Sequence, residues 1–534
     1  MGLAFHVENF GCRAARADGE AVSDRLRAAG LGEGQTSTAD VVVVNTCSVT
    51  AEADRAARAF IRRAHRLNPE ARIVVTGCYA QREPEKLAGM PGVAAVVGNS
   101  HKALAPEIAL NLARDGAAGA LQGVEKGVPL RSIGEEHSPE AKAHVDSFGF
   151  MRGLRPPPPS GFGFSAACKA PEGSPSPLEL TSPGLVTIQS LLASSASGSA
   201  PIWADDRFAH SFIGETQLLP GAQTRPNLKI QEGCGNRCTF CVIPETRGPS
   251  RSLPAASILR QVEGFVAAGG NELVLSGINL GRWGRDLPPA GEPRLSLARL
   301  VRQIFSDTAL PRLRLSSIEP MDWDGDLIAL LCEFGGTRFA RHAHLPLQSG
   351  SDTVLRRMHR RYRPWHYAEK VAALLEAAGP ELTLGADVMV GFPGETDREF
   401  QETLELVRAL PFGYLHLFPF SPRPGTPGWA VHAQSPVSAA AVVERMAALR
   451  ALAAEKSETH RRRFMGRAME AITLHTPVSL EAKGRTAALT ENYLPVEIEG
   501  QLPANCLVQL HIEGLTSEAI LVASSGHPVR ESIV

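Results

Sequence analysis

Three closely spaced cysteines constrain this chain more than any other feature. Residues 233–241 read Gly-Cys-Gly-Asn-Arg-Cys-Thr-Phe-Cys and follow an expected strand, so Cys234, Cys238 and Cys241 have the spacing Cys-x3-Cys-x2-Cys. A structural zinc site normally has four protein ligands, whereas an iron–sulfur cluster on three thiolates keeps one iron open. The spacing favours an open iron–sulfur cluster. The alternatives are a zinc site completed by a distant residue and unrelated buried cysteines.

Length and composition favour a multidomain cytoplasmic protein. The chain has 534 residues, and 43% of them are hydrophobic, which excludes a wholly disordered chain. Its formal net charge of -1 excludes an electrostatic field of one sign over the whole surface. The first ten residues lack a signal-peptide pattern, and no apolar run approaches the ~20 residues of a membrane span. Nine cysteines, an odd number, favour metal or redox chemistry over disulfides in a reducing compartment.

Strand and helix patterns alternate early in the chain and predict a parallel α/β domain over residues 1–130. The predicted strands are 4–7, 41–44, 73–75 and 93–97, and the predicted helices are 20–29 and 51–67. Cys12, Cys47 and Cys78 each lie a few residues beyond the carboxyl end of a predicted strand. Ligands bind at that edge of open α/β sheets.

Three further segments complete a predicted α/β multidomain fold. Residues 131–223 are rich in Pro, Ser and Gly and are interpreted as a linker or insertion, with Cys168 incidental. Residues 224–460 repeat six strand–helix units, which predicts a partial (β/α)6 barrel. Residues 461–534 hold four short strand patterns, at 469–474, 494–498, 507–512 and 519–522, which predict a small β-barrel.

The Cys-x3-Cys-x2-Cys loop resembles the signature of the radical S-adenosylmethionine superfamily. The resemblance implies catalytic cysteines on a 4Fe-4S cluster whose open iron binds S-adenosylmethionine, and a 5′-deoxyadenosyl radical released by reductive cleavage. It implies that Phe240 lies near the adenine, with loop packing as the alternative. Gly269, Gly270 and Glu272 resemble a Gly-Gly-Glu motif, which implies contact with the methionine amino group. A helix C-cap is the alternative for the glycines.

Motifs around the first three cysteines are similar to those of the methylthiotransferases. They are Gly-Cys-Arg at 11–13, Asn-Thr-Cys-Ser-Val-Thr at 45–50 and Thr-Gly-Cys-Tyr-Ala-Gln at 76–81. The resemblance implies that Cys12, Cys47 and Cys78 bind a second 4Fe-4S cluster that takes part in sulfur delivery. Thiolates are the soft ligands that iron–sulfur clusters use. Three separate structural cysteines are the alternative.

Further motifs resemble the methylthiotransferase branch that acts on N6-threonylcarbamoyladenosine in tRNA. They are Leu-Ser-Gly-Ile-Asn-Leu-Gly-Arg at 275–282, Ser-Ser-Ile-Glu-Pro at 316–320 and His-Leu-Pro-Leu-Gln-Ser-Gly-Ser at 344–351. The resemblance implies replacement of the C2 hydrogen beside the anticodon by a methylthio group, and a cofactor contact for Gln348. The alternatives are the same reaction on N6-isopentenyladenosine and a non-catalytic iron–sulfur RNA-binding protein.

The tail from residue 461 resembles the TRAM domain, a small RNA-binding β-barrel. Arginines at 461–463 and five more between 356 and 363, around Tyr362, are suited to phosphate contact. A solvated charged face is the alternative. The implied partners are the anticodon stem-loop of tRNA and an electron donor such as flavodoxin or ferredoxin. The protein is expected to be a monomer that is not associated with a membrane.

Overall fold

The computed structural model describes most of the chain outside the predicted linker. The described residues are 2–117, 199–208, 210–212, 218–220, 224–288, 295–518 and 520–524. The larger part of the predicted linker 131–223, including Cys168, lies outside them. No helix within these ranges is long and apolar enough to cross a membrane.

The N-terminal part folds into a parallel α/β layer, as the alternating patterns predict. In the described ranges its sheet has the order β2-β1-β3-β4-β5-β6, and every pair is parallel. The strands are β1 Ala4–Asn9, β2 Gly32–Glu33, β3 Val41–Thr46, β4 Arg72–Gly77, β5 Val93–Gly98 and β6 Ile202–Trp203. The helices are α1 Arg13–Ala28, α2 Ala51–Leu67, α3 Cys78–Arg82, α4 Pro84–Ala88 and α5 Ala105–Ala117, with a 3-10 helix at Asn99–Leu104.

Burial explains the central strands of this sheet. All six residues of β3 are buried, which is typical of a parallel strand that is covered on both faces. Two differences from the sequence patterns stand out. Helix α1 begins at Arg13, seven residues before the predicted start at 20. The pattern missed its first two turns because no large apolar side chain is buried there, only residues such as Ala14, Ala15 and Asp18. Strand β6, from the end of the predicted linker, joins the edge of the sheet.

The central part forms an open barrel of parallel strands. Strands β7, β9 and β10 pair in parallel, as do β11, β12 and β13, and β8 pairs antiparallel with β7. The two groups meet where the Ala340 amide donates to the Leu313 carbonyl at 3.0 Å. The strands are β7 Asn227–Glu232, β8 Arg251–Ser252, β9 Glu272–Gly277, β10 Arg312–Leu315, β11 His342–His344, β12 Thr383–Val390 and β13 Phe412–Pro419.

Most helices of this barrel pack their apolar faces on one continuous core. They are α6 Ile243–Arg247, α7 Ala255–Ala267, α8 Leu297–Asp307, α9 Gly325–Phe334, α10 Asp352–Arg357, α11 Pro364–Ala378, α12 Asp397–Ala409, α13 Pro427–Gln434 and α14 Ala439–Arg462. Short 3-10 turns lie at Leu280–Arg282 and Pro320–Asp322. Helix α8 is representative, since Leu297, Val301 and Ile304 are buried at helical spacing.

The C-terminal part is a closed five-stranded barrel in the order β14-β15-β16-β18-β17. Its strands are β14 Ala468–Thr473, β15 Arg485–Thr490, β16 Pro495–Glu499, β17 Leu507–Leu515 and β18 Leu521–Ser524, and the short helix α15 is Val478–Glu481. The sequence patterns predict four of these strands and miss β15. Small residues, Ala487 and Ala488, fill its centre and weaken the apolar signal. These three parts confirm the predicted α/β multidomain fold class.

The closed barrel docks on the amino-terminal ends of the central strands. Arg312 at the start of β10 pairs with Glu470 of β14, and Arg341 just before β11 pairs with Glu491. The carboxyl ends of these strands, where Cys234 follows β7, therefore lie at the opposite face. The N-terminal domain contacts the chain there through Cys78 and Asn99.

Candidate functional site: two cysteine clusters joined by a short helix

The first cysteine cluster lies at the carboxyl edge of the N-terminal sheet. Cys47 follows β3 and Cys78 follows β4, and these strands pair in register through Thr46 and Gly77. Cys12 follows β1 at the same edge. A Cβ on Gly11 would lie 2.6 Å from the Sγ of Cys47, which shows how closely the Cys12 loop approaches. The parallel sheet thus brings together three cysteines that are more than 30 positions apart in sequence.

The second cluster is the loop after β7. Cys234 and Cys241 are half-buried, and the cysteine sulfurs accept hydrogen bonds from the chain around them. The Asn236 amide donates to the Cys234 Sγ at 3.4 Å, and the Ile243 amide donates to the Cys241 Sγ at 3.4 Å. Gly233 turns the chain into this loop at φ +70, where a Cβ would lie 1.9 Å from the Pro249 carbonyl oxygen.

Two further side chains donate to this loop from segments that follow later strands of the barrel. The Asn279 Nδ2, after β9, lies 3.5 Å from the Cys234 Sγ. The buried Arg360 donates from Nη1 to the Cys238 Sγ at 3.4 Å, and its Nη2 is 2.7 Å from both carboxylate oxygens of Glu319. Arginine and N–H donors stabilise negative charge on sulfur, so the loop is built to carry thiolates.

The raised pKa values of the buried thiols indicate that each cluster needs a positively charged centre to form thiolates. Burial raises the pKa of Cys241 to about 12 and also raises the pKa of Cys234. Burial, reinforced by Cys78 and Cys12, raises the pKa of Cys47 to about 12. Groups of buried thiols become thiolates when a metal centre supplies compensating positive charge and displaces their protons. Three sulfur donors at each place, with N–H donors to the sulfurs, fit an iron–sulfur cluster with one iron that no cysteine holds.

Helix α6 connects the two clusters. It begins two residues after Cys241 and ends at Arg247, whose Nε donates to the Sγ of Cys78 at 3.1 Å. Asn99 strengthens the connection, because its Nδ2 donates to the Cys78 Sγ at 3.3 Å and to the Thr246 carbonyl at 2.8 Å. A five-residue helix is about 7.5 Å long. The loop of the second cluster and an arginine that contacts the first cluster therefore lie at opposite ends of little more than one helical turn.

Arg247 also belongs to a buried group of five charges. Its Nη1 lies 2.7 Å from the Glu232 Oε1 and 3.3 Å from the Asp18 Oδ2, and Lys102 and Lys229 also pair with Asp18. Three cations and two carboxylates leave one positive charge in excess. The excess charge faces the sulfur of Cys78, because Arg247 is the cation of this group that contacts it.

Buried polar atoms without a partner mark the barrel interior beside the second cluster. Within the described ranges, they include the Ser276 Oγ, Asn279 Oδ1, Ser316 Oγ and Gln348 Oε1, which lie at or beyond the carboxyl ends of β9, β10 and β11. Gln348 also has a backbone φ of +64, which is unfavourable for a side-chain-bearing residue. Buried polar groups normally have partners, so these atoms are suited to a polar ligand. A contact of Gln348 with the cofactor stays a prediction.

The structure does not bring the Gly-Gly-Asn-Glu segment to the cysteine loop. Glu272 begins β9, at the opposite end of that strand from Asn279, and its carboxylate pairs with Arg225, Arg312 and Arg314. Gly269 has φ +82, and a Cβ on Gly270 would lie 2.2 Å from the Phe265 ring. The two glycines thus serve the end of α7.

Phe240 is partly buried against the barrel core, and Gly428 packs on its backbone. Its placement is that of a loop residue packed between Cys238 and Cys241. A place beside an adenine stays a prediction for this ring.

Sequence patterns missed the residues that contact the sulfurs from a distance. Arg247 is 169 positions from Cys78, and Arg360 is 122 positions from Cys238. Asn99 and Asn279 were also without an assigned role. Asn279 could have been found from its position, because it lies just beyond the end of a strand. Nothing in the local sequence distinguishes Arg360 from its arginine neighbours.

The arginines expected to meet RNA are largely paired within the protein. The five arginines between 356 and 363 share four carboxylates, in the pairs Arg356–Asp352, Arg357–Glu399, Arg360–Glu319, Arg361–Asp322 and Arg363–Asp352. At the entry to the tail, Arg462 pairs with Glu458, and Arg463 donates to the Pro380 carbonyl. Phosphate contact by these arginines remains a prediction, and most of them would have to exchange an existing partner.

Two family descriptions match separate parts of the chain. Residues 4–98 match the uncharacterized protein family UPF0004, and residues 228–407 match the radical SAM superfamily. The first match spans the strands that present Cys12, Cys47 and Cys78, and the second contains the Cys234 loop.

Whole-length relatives are also found. The chain is 30% identical to the threonylcarbamoyladenosine tRNA methylthiotransferase MtaB of Bacillus subtilis, over 93% of this chain and 90% of the relative. It is 31% identical to the protein of the same name from Treponema pallidum, over 96% and 99%. It is 33% identical to the tRNA-2-methylthio-N(6)-dimethylallyladenosine synthase of Sorangium cellulosum, over 79% and 72%.

Proposed function

This chain belongs to the radical S-adenosylmethionine family of tRNA methylthiotransferases, and from that premise we propose that its substrate is N6-threonylcarbamoyladenosine beside the tRNA anticodon. The product would be the 2-methylthio derivative. The observation that carries the proposal is the pair of three-cysteine clusters joined by α6, with Arg247 against Cys78. Two open iron–sulfur centres side by side suit a reaction that needs both a radical and a sulfur donor.

The second cluster would hold a 4Fe-4S centre on Cys234, Cys238 and Cys241, with S-adenosylmethionine among the unpartnered polar atoms of β9 to β11. When bound, this centre supplies the electron for reductive cleavage of S-adenosylmethionine to methionine and a 5′-deoxyadenosyl radical. A radical suits the chemistry because no general base removes a ring C–H proton at useful rates. The chain positions the target, and Arg360 and Asn279 hold the cysteine loop.

The first cluster would hold a second 4Fe-4S centre on Cys12, Cys47 and Cys78 and serve sulfur delivery. One S-adenosylmethionine would give its methyl group to the sulfur, and another would give the radical that removes the C2 hydrogen. An external donor such as flavodoxin or ferredoxin would supply electrons, and the protein would act as a monomer. Arg247 and Asn99 keep the Cys78 sulfur hydrogen-bonded between the two centres.

Cysteine variants test this division of labour. We expect Cys238→Ala to abolish both 5′-deoxyadenosine and methylthio formation. Cys47→Ala should retain S-adenosylmethionine cleavage and lose methylthio formation, because it damages only the centre assigned to sulfur. Both products are measured by mass spectrometry with anaerobically reconstituted, reduced protein, and Cys332→Ala, an exposed cysteine outside both clusters, is the control. Methylthio formation by Cys238→Ala would refute the proposal.

The similarity to a tRNA-2-methylthio-N(6)-dimethylallyladenosine synthase makes N6-isopentenyladenosine the second candidate substrate. Expression in a host that lacks its own enzyme, followed by nucleoside analysis of its tRNA, decides between the two. Methylthio-threonylcarbamoyladenosine supports our assignment, and methylthio-isopentenyladenosine overturns it. A protein that forms no 5′-deoxyadenosine at all would be the non-catalytic RNA-binding alternative.

A further inference from the structure

A positively charged cavity lies directly beside the Cys238 loop. It measures about 260 Å³, and the residues that line it include Arg237, Cys238, Arg282, Glu319, Arg360 and Arg361. The cysteine loop, the turn after β9, the end of β10 and the segment after α10 thus meet around one opening. It stands on the carboxyl side of the barrel strands, where the second cysteine cluster also lies.

Charge in this cavity is strongly unbalanced. Asp322, whose side chain is fully buried, pairs with Arg282 at 3.4 Å, Arg285 at 3.2 Å and Arg361 at 3.2 Å, and of these arginines Arg282 and Arg361 line the cavity. One carboxylate cannot neutralise three guanidinium groups. Arg237 is exposed and forms no ion pair with any described residue, which adds another cation to the cavity lining.

The other charged residues at the opening do not remove this excess. Arg360 is neutralised by Glu319, which it contacts through both carboxylate oxygens at 2.7 Å. The other three arginines that line the cavity, Arg237, Arg282 and Arg361, set against Asp322, therefore leave two positive charges there. Guanidinium groups in a partly enclosed cavity bind carboxylate or phosphate through paired N–H donors.

Backbone geometry shows that the arrangement is built into the fold. The 3-10 turn at Leu280–Arg282 carries Arg282 against Asp322. A Cβ on Gly281 would lie 2.4 Å from the Cβ of Asp322, so only glycine permits this approach. His359, which also lines the cavity, has a backbone φ of +56.

We propose that this cavity binds the threonyl carboxylate of the substrate adenosine and so selects the threonylcarbamoyl group. The inference rests on the function proposed above and specifies how its substrate is recognised. The threonylcarbamoyl group is attached at N6, on the same six-membered ring as the reacting C2. The threonyl carboxylate therefore lies within one side-chain length of C2. When C2 is at the cysteine loop, this carboxylate would reach the cavity, which adjoins the loop at Cys238. An isopentenyl group has no charge and gains nothing from three arginines.

Three stem-loop RNAs test the assignment with the reconstituted holoenzyme. They carry N6-threonylcarbamoyladenosine, its methyl ester or unmodified adenosine at the same position, and dissociation constants are measured by fluorescence anisotropy at fixed salt. We expect the acid to bind about tenfold more tightly than its ester, because one charge-assisted contact is lost. Arg361→Gln and Arg237→Gln should each reduce this preference. Arg398→Gln, whose side chain is 90% exposed on α12, should retain it.

Three other outcomes would overturn the proposal, and two of them identify a different ligand for the cavity. Equal binding of acid and ester by the unmodified protein overturns the proposal, whatever the variants do. Equal weakening of all three RNAs in the variants indicates a backbone phosphate, and a raised KM for S-adenosylmethionine with the acid preference intact indicates the cofactor's own carboxylate. Both results also overturn it.

Methylthio product is measured in the same preparations. If the unmodified protein makes no product from the acid RNA, the proposed function fails. If product forms but acid and ester bind equally, only the cavity assignment fails.

Discussion

Arg247 shows how much a single buried residue can connect. Its guanidinium contacts Cys78, Glu232 and Asp18, which belong to two domains and three elements. Burial of an arginine is unfavourable unless its charge is compensated. Here two carboxylates are shared with Lys102 and Lys229, so the compensation is complete only when the Cys78 sulfur carries negative charge.

We expect Arg247→Gln to fold and to alter the first cysteine cluster selectively. Without Arg247, Asp18 and Glu232 remain balanced by two lysines, so the loss of stability should be on the order of 2 kcal/mol. Loss of a cation and an N–H donor from a cluster thiolate makes its reduction potential more negative. The measurement is an EPR-monitored redox titration of protein that also lacks Cys234, Cys238 and Cys241. Arg398→Gln is the control, and an unchanged potential in Arg247→Gln contradicts this role.

Loops at strand ends set the geometry of the elements around the first cluster. The turn between β1 and α1 approaches β3 so closely that a Cβ on Gly11 would lie 2.4 Å from the Cβ of Cys47. Its backbone φ of +105 is also a conformation that side-chain-bearing residues rarely adopt. The position of Cys12 over the sheet edge thus depends on a glycine next to it.

Gly11→Ala and Gly30→Ala form a matched pair at the two ends of α1. Gly30 has φ +90 with nothing within 4 Å of an added Cβ, so it shares the backbone strain but not the collision. We expect Gly30→Ala to lose about 1 kcal/mol of stability and Gly11→Ala to lose more, and only Gly11→Ala to lower reconstituted iron from about eight to about four atoms per chain. Iron analysis together with 5′-deoxyadenosine formation checks this. Equal iron content in both variants would contradict it.

Across the whole molecule, ion pairs and aromatic contacts hold the three domains together. Tyr493, from the closed barrel, accepts a hydrogen bond from Arg13 at 2.6 Å and lies beneath the guanidinium of Arg314. Tyr493 therefore contacts the residue next to Cys12 and a central strand at once. Asp54 of α2 pairs with Arg423 at 2.6 Å, which joins the N-terminal domain to the far side of the central barrel.

Glu272 makes the stability of this assembly dependent on pH. Burial alone would raise its pKa, but Arg314, Arg225 and Arg312 lower it to about 2. A lowered pKa means that the ionised carboxylate stabilises the fold fully above the pKa of the unfolded chain. That stabilisation is lost as the pH falls through about 2.

We expect Glu272→Gln to cost the apoprotein on the order of 3 kcal/mol at pH 7. The difference from the unmodified protein should shrink progressively from pH 5 towards pH 2. Urea unfolding at several pH values measures it. The control is Glu333→Gln, an exposed partner of Arg302, where a small and pH-independent difference is expected. A constant difference for Glu272→Gln would show that its charge does not matter.

The sequence alone determined the chemistry and the order of the domains. Cysteine spacing at 234–241 indicated an open cluster, because three thiolates so close together have few other uses. Alternating strand and helix patterns placed Cys12, Cys47 and Cys78 at strand ends, since parallel strands all end at one edge. β15 was missed because small residues, Ala487 and Ala488, occupy its centre.

Only the tertiary structure decided which residues surround those cysteines. Arg247 and Arg360 reach sulfurs more than 100 positions away, and Glu272 lies at the far end of its strand, where three arginines hold it. The arginines around Asp322 are likewise gathered from separate loops. Local patterns report the period of a strand or helix, but burial and long-range pairing of charges depend on how the elements pack, and these contacts therefore exist only in the folded chain.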